Sequence, residues 1–291
     1  MKKKIIIISI ISTFAAIILC ISIYFIIQSR KKVVTFSGNI DDESTIKEIN
    51  SETLDVESYD PKDVIAYSLW RINNTKEFRV DTTGKSKAVG YSVKIKNERI
   101  VKNNEAMITC VNGGILKKCT QRYFNNDNVY IRKTEDVNKS LEPTFNSKYL
   151  PKYTKDKYIE MYGWMPFQAY GYILNDKTYK KDPSMTKNDD GTYTIDIDLD
   201  MDSSAVYYYK REIAINASST KIPNFKSVNL QMTIDSNYYI KVVEIEEKYE
   251  VSPKKPPLNN ILTTTSLTDT FTYDNIEFNE EYYNYFKENM R

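Results

Sequence analysis

Histidine is absent from the 291 residues, and that absence removes more chemistry than any other feature of the chain. Without imidazole there is no general base with an unperturbed pKa near neutrality, hence no Ser-His-Asp or Cys-His activation of a nucleophile. Zinc sites built on His, HExxH among them, are excluded as well. Glycine is scarce, at 8 residues, and neither GxGxxG nor a P-loop occurs. Ser-x-x-Lys recurs at Ser29, Ser44, Ser184, Ser218 and Ser252, as a Lys-rich chain gives by chance, with no Lys-Thr-Gly or Ser-Asp-Asn beside it. An enzyme built from these residues would need a carboxylate pair, a Ser-Lys dyad or a tyrosine. No cofactor and no metal is expected.

Charge is missing from residues 5–27, a run rich in Ile that also holds Phe14, Ala15, Ala16, Leu19, Tyr24 and Phe25. About 20 apolar residues at about 1.5 Å each span a hydrocarbon core about 30 Å thick. The run is too long for the ~7–15-residue core of a cleaved signal peptide, and Gln-Ser-Arg-Lys-Lys follows it instead of a small-residue cleavage site. A lipidated Cys20 would call for a small residue before it, where Leu19 is bulky. An uncleaved membrane anchor is therefore expected over 5–27. Lys2, Lys3 and Lys4 on one flank nearly balance Arg30, Lys31 and Lys32 on the other. The short tail 1–4 and its α-amine favour a cytoplasmic N-terminus, which makes the remainder extracellular and the plasma membrane its first partner.

All 39 acidic residues follow the anchor, whereas six of the 41 basic ones flank it, so the rest of the chain is mildly acidic. It has no basic field for nucleic acid. Abundant Tyr, Asn, Lys and Ile with little Gly match an AT-rich, low-GC bacterial genome.

Residues 28–59 are polar and acidic and read as a stalk, with one extracytoplasmic α+β domain over 60–291. Asp60-Pro61 is an N-cap followed by proline at the first helical position. Ile65, Leu69 and Ile72 continue it as an amphipathic helix to about 73. From 78 to 134 the period changes to two: Val89, Tyr91, Val93 and Ile95 alternate with Gly90, Ser92, Lys94 and Lys96. Further strands are expected at 107–111, 116–123 and 129–132, with turns at 112–114 and 125–128. After an aromatic insert at 141–180, with a short helix at Tyr158, Met161 and Tyr162, come a strand at 193–201, a helix from 202 or 203 to 216, and strands at 228–234, 239–251 and 262–273. Runs of adjacent strands exclude a parallel βαβ sheet.

Cys110 and Cys119 flank the Asn-Gly-Gly turn, where a disulfide across the hairpin is favoured over two separate thiols in an oxidising compartment. Asp196, Asp198, Asp200 and Asp202 imitate the opening of a calcium loop. Met201 stands where Gly belongs and Tyr207 where Glu belongs, so a solvated strand face is the better reading. The aromatic insert reads as ordinary core, as the lining of an apolar ligand site, or as a carbohydrate-stacking face.

In element order the chain resembles the LolA/LppX-like lipoprotein carriers. The resemblance is carried by the helix 60–73, the meander 78–134, Asp190-Gly191-Thr192-Tyr193-Thr194-Ile195 before the helix 203–216, and Leu230-Gln231-Met232-Thr233-Ile234-Asp235 with 242–251. It implies a strongly curved antiparallel sheet, an unclosed barrel with helices on its concave side, and a cavity for acyl chains or a lipid-modified partner. The retained anchor departs from that family's shuttling pattern. The leading expectation is a tethered binding protein for a lipid or lipid-like ligand, lined by Trp70, Met161, Trp164, Met165 and Phe167. A non-catalytic envelope assembly module with a filled core stands second, and a carboxylate enzyme acting on cell-wall glycans third.

Overall fold

The computed structural model describes residues 43–50, 55–114, 117–125, 127–146, 151–162, 171–207, 209–210, 213, 221–252 and 260–290. The anchor expected over 5–27 lies outside them. Among the described residues no helix is long and apolar enough to cross a membrane.

Helix α1, Pro61–Asn73, starts where the sequence places it. The Asp60 side chain accepts the Lys62 amide, Pro61 needs no partner for its nitrogen, and the Asn74 amide closes the last turn on Trp70. Strands β1 (Phe78–Ala88), β2 (Tyr91–Lys102), β3 (Glu105–Gly114), β4 (Lys118–Phe124), β5 (Asn128–Thr134) and β6 (Lys152–Thr154) form one meander. Helix α2, Lys155–Tyr162, follows directly. Strands β7 (Ser184–Lys187), β8 (Tyr193–Asp198), β9 (Asn224–Ile234), β10 (Ile240–Val251) and β11 (Ile261–Thr272) form the second meander, and α3, Glu280–Asn289, ends the fold.

The two meanders make one unclosed antiparallel sheet of 11 strands, ordered β6-β5-β4-β3-β2-β1-β11-β10-β9-β8-β7. Its seam is the pairing of β1 with β11, running from Arg79↔Thr272 to Ala88↔Thr263. Gly84 lies within the seam opposite Leu267. A Cβ there would stand 2.1 Å from the Ser266 carbonyl oxygen, so the close approach of the two backbones requires glycine.

Alternation assigns each strand residue to a face. Val80, Val101, Ile108, Phe124 and Ile131 point to the inner face, where Val64, Ile65, Leu69 and Ile72 of α1 and Tyr158 and Tyr162 of α2 complete one core. Met107, Tyr123 and Tyr130 point the other way and are covered by α3, with Phe286 stacked on Tyr123 at 5.4 Å. Lys287 donates to Glu105 Oε1 at 2.6 Å and Tyr283 to Oε2 at 2.9 Å, fixing α3 to the start of β3. The helices thus lie on both sides of the sheet, a correction to the expectation that all occupy one.

Three other expectations change. Residues 43–50 and 55–59, expected in the stalk, pack with the domain. The Thr45 amide donates to the Leu174 carbonyl, Lys47 to Ala66, and Val56 is buried in the inner core. Asn112, Gly113 and Gly114 end β3 instead of turning; a Cβ on Gly113 would meet Leu141 Cδ2 at 2.3 Å, so glycine here admits Leu141 onto the outer face. Cys110 and Cys119 are not joined by a disulfide. Cys110 is paired with Thr120, and Cys119 with Val111, which puts the two sulfurs on opposite faces despite their nearness in the hairpin. Burial pushes the Cys119 thiol up to about 12.

The seam yields a test by denaturant titration. Gly84→Ala is expected to lower stability by at least the ~1–3 kcal/mol usual for overpacking, because backbone and not a flexible side chain opposes the methyl group. Gly171→Ala, where a Cβ meets nothing within 4 Å, is expected to leave the midpoint nearly unchanged.

Candidate functional site

The inner face is not apolar throughout. On β10, Val243, Ile245, Tyr249 and Val251 are buried and Glu244, Glu246 and Lys248 are exposed, the pattern of a strand with one wet face. Glu247 occupies the inward register among them and is 1% exposed. Its neighbours across the ladder are Thr265 on β11 and Val228 on β9. The Tyr172 hydroxyl donates to Oε1, while Oε2 has no hydrogen-bond partner among the described residues. Burial pushes the carboxyl up to about 8, with the Tyr172 hydrogen bond opposing and the charge of Asp269 adding to the rise. At neutral pH the group is therefore mainly a neutral acid, able to donate as well as accept.

A belt of polar groups continues from it. Thr265 Oγ1 lies 3.0 Å from the Tyr249 hydroxyl and 2.8 Å from Ser86 Oγ, its partner across the seam. Further along the seam Thr82 donates to Asp269 at 2.6 Å. Burial raises the Asp269 carboxyl, and both that hydrogen bond and the Arg99 charge hold it back. On β4 Arg122 is fully buried, its guanidinium 4.5 Å from the Tyr162 ring and 3.4 Å from the Tyr158 hydroxyl, with the two tyrosines of α2 stacked at 4.4 Å. The inner wall thus has an apolar end, under α1, and a polar stretch that includes a carboxyl oxygen without a partner in the described chain.

Of the residues expected to line a site, Trp70 and Met161 are described; Trp164, Met165 and Phe167 lie outside the described residues. Trp70 is half-buried beside Arg71, whose guanidinium is 5.9 Å from the indole and whose Nε donates to the Asn237 carbonyl in the β9–β10 turn. Met161 is half-buried against the inner core on α2, which packs on β5 and β6. Asp196 accepts from Gln231 at 2.9 Å and Asp198 pairs with Lys181 at 2.8 Å, so these strand carboxylates have ordinary protein partners. Sequence reasoning missed Glu247, Asp269 and Arg122; Glu247 and Asp269 carry a readable signal, a charged residue in the inward register of an alternating strand, whereas β4 around Arg122 is buried on both faces and shows no alternation.

No family model matches the chain, and no curated protein matches it. Among solved structures it is similar to a LolA superfamily protein from Nitrosomonas europaea, at 10% identity and a TM-score of 0.28, over 77% of this chain and 99% of that one. It is also similar to a DUF1329 family protein from Desulfovibrio piger, at 8% identity and a TM-score of 0.28, over 77% of this chain and 98% of that one. At these scores the likeness says nothing about a ligand.

The buried acid predicts a pH dependence. A carboxyl at about 8 in the folded chain and near its ordinary 4.5 when unfolded binds more protons folded than unfolded between those values. Its contribution is intact below pH 4.5 and is lost as pH rises towards 8. Glu247→Gln is expected to flatten that part of the stability profile, measured as thermal midpoints from pH 5 to 8. An unchanged slope would place the acid in a hydrated setting.

Proposed function

We propose that the chain is a membrane-tethered extracytoplasmic binding protein whose inner sheet face takes a lipid-like amphiphile. The observation that carries the reading is Glu247, a buried and mainly neutral acid whose Oε2 has no partner among the described residues. A ligand hydroxyl, amide or protonated phosphate answers such a group, while its apolar chain follows the wall formed by Ile245, Leu230 and Leu267. An open sheet of 11 strands would be about 48 Å wide if flat, and a continuous core from β5 to β8 favours a curved one. Trp164, Met165 and Phe167 follow α2 in the chain and remain candidates for the lining, with Met161 at its margin. The tether rests on the apolar run 5–27, and the outward direction on its short N-terminal tail.

A second reading has its own support. Val64, Ile65 and Leu69 of α1 are fully buried in the inner core, so part of the concavity is filled by the chain itself, as an assembly module would have it.

Native mass spectrometry of the full chain, released gently from membranes, separates the two readings. Co-bound amphiphile is expected in the unsubstituted chain and about tenfold less in Glu247→Leu, since a lost hydrogen bond to a buried carboxyl is worth about that factor. A uniform ligand-free mass would favour the filled core. Resistance of the chain to alkaline extraction tests the anchor, and labelling of surface lysines on intact cells tests its direction.

A further inference from the structure

The outer face at the β1–β2 hairpin has a composition that the binding role does not use. Val89, at the tip, is 91% exposed, and Leu262, at the start of β11, is 47% exposed. They are two of the four exposed large apolar side chains among the described residues. Ala88 pairs with Thr263, so Val89 and Leu262 flank one register position, and alternation turns both outward at the same end of the sheet.

Below this apolar tip the outward row is basic. Lys85 faces Lys94 across the β1–β2 ladder, with Lys87 one step nearer the tip and Lys96 one step further away opposite Thr83. All four lysines are exposed, and none makes a salt bridge among the described residues. Like charges placed directly opposite are destabilising, so this row is unfavourable for the isolated domain. Lys85, Lys94 and Lys96 line a shallow depression of about 520 Å³ with Thr83, Ser266 and Leu141. The nearest carboxylates on the same face are Glu98, two residues along β2 from Lys96, and Asp81 opposite it on β1; both are engaged by Arg79, each at 2.8 Å. Beyond β11 lie the β10 residues Glu244, Glu246 and Glu250. The hydroxyl row of β11 (Thr264, Ser266 and Thr268) stands between them and the lysines, and Glu250 is engaged by Lys226 at 3.4 Å.

We infer that this hairpin end docks on an anionic phospholipid surface, with Val89 and Leu262 entering the interface and the four lysines against headgroup phosphates. Exposed apolar residues ringed by unpaired lysines match the two components of an anionic bilayer surface; a soluble polyanion would leave the apolar tip unanswered. The inference rests on the proposed tether for its geometry.

The test uses the full chain reconstituted in phosphatidylcholine vesicles, with or without phosphatidylglycerol, and Val89→Trp as reporter. Quenching by lipids brominated along the acyl chain is read after subtracting the unsubstituted chain, which carries Trp70 and Trp164. Phosphatidylglycerol is expected to raise quenching at position 89 about threefold, and high salt to remove the gain. Lys85→Gln with Lys87→Gln, Lys94→Gln and Lys96→Gln should abolish it while circular dichroism stays unchanged. Equal quenching in both vesicle types, or a gain that survives the four substitutions, overturns the inference. Should the four-fold variant fail to fold, Lys87→Gln with Lys96→Gln alone is expected to halve the gain, and an unchanged gain overturns it. Alkaline extraction of the same vesicles reports on the tether separately, so loss of the anchor and loss of docking are told apart.

Discussion

The pairing of β1 with β11 is the interaction on which the rest of the structure depends. Each meander alone would end in an open edge, and an exposed edge of that length invites pairing with another chain. Joining them across nearly the whole domain hides both edges and leaves only the short β6 and β7 at the rims. The pairing also brings the helix-led first half of the chain and the later strands around one core. It closes a long loop, so its formation is costly in chain entropy and must be compensated by close contact along the seam. Gly84 is where that contact is tightest, and the hydroxyl pair Ser86–Thr265 and the Thr82 hydroxyl donating to the Asp269 carboxyl fasten it on either side.

A single sheet presents two faces, and the outcome differs between them. The inner face is covered by α1 and α2, and the outer face by α3 only over β3 to β5. There Arg132 donates to Gln121 and lies among Phe145, Tyr285, Tyr282 and Phe286, with its guanidinium 3.9 Å from the Phe145 ring. Towards the hairpin end of β1, β2 and β11 the outer face has no such cover among the described residues, and there hydroxyl and lysine side chains replace apolar ones; at the other end of β2, Ile100, opposite Met107, is buried. The distribution of helices thus explains why one part of the outer face is aromatic and another basic.

Much of this was legible in the residues. The cap and proline at 60–61 set the start of α1, and alternation located four strands of the first meander and four of the second. What escaped has physical reasons. Val89 and Gly90 continue an apolar-polar alternation through what is a tight turn with Gly90 at φ +83°, so periodicity alone ran across the hairpin. Asn-Gly-Gly has the composition of a turn, but Gly113 is selected by Leu141 from outside the strand. The disulfide failed on parity: nearness in a hairpin does not decide which face a side chain takes. Helix α3, with Glu280 and Glu281 in its first turn and Asn279 as its cap, is short and tyrosine-rich, and its apolar stripe is recognisable only once β3 to β5 supply the surface it covers.

Glu247 and Asp269 show how one residue type can have different standing in the same wall. Asp269 has a hydroxyl donor at 2.6 Å and the field of Arg99, which oppose the rise that burial imposes on its carboxyl without cancelling it. Glu247 has one phenol for two oxygens. An apolar residue of similar size in its place would remove a desolvation cost and continue the strand's own pattern. Stability therefore does not account for the acid, and a costly buried carboxyl in the inward register of the strand points to a use. The phenol of Tyr172 fixes one oxygen and with it the direction of the other. That arrangement orients a hydrogen-bonding group inside an apolar wall, which is what recognition of an amphiphile's polar end requires of the fold.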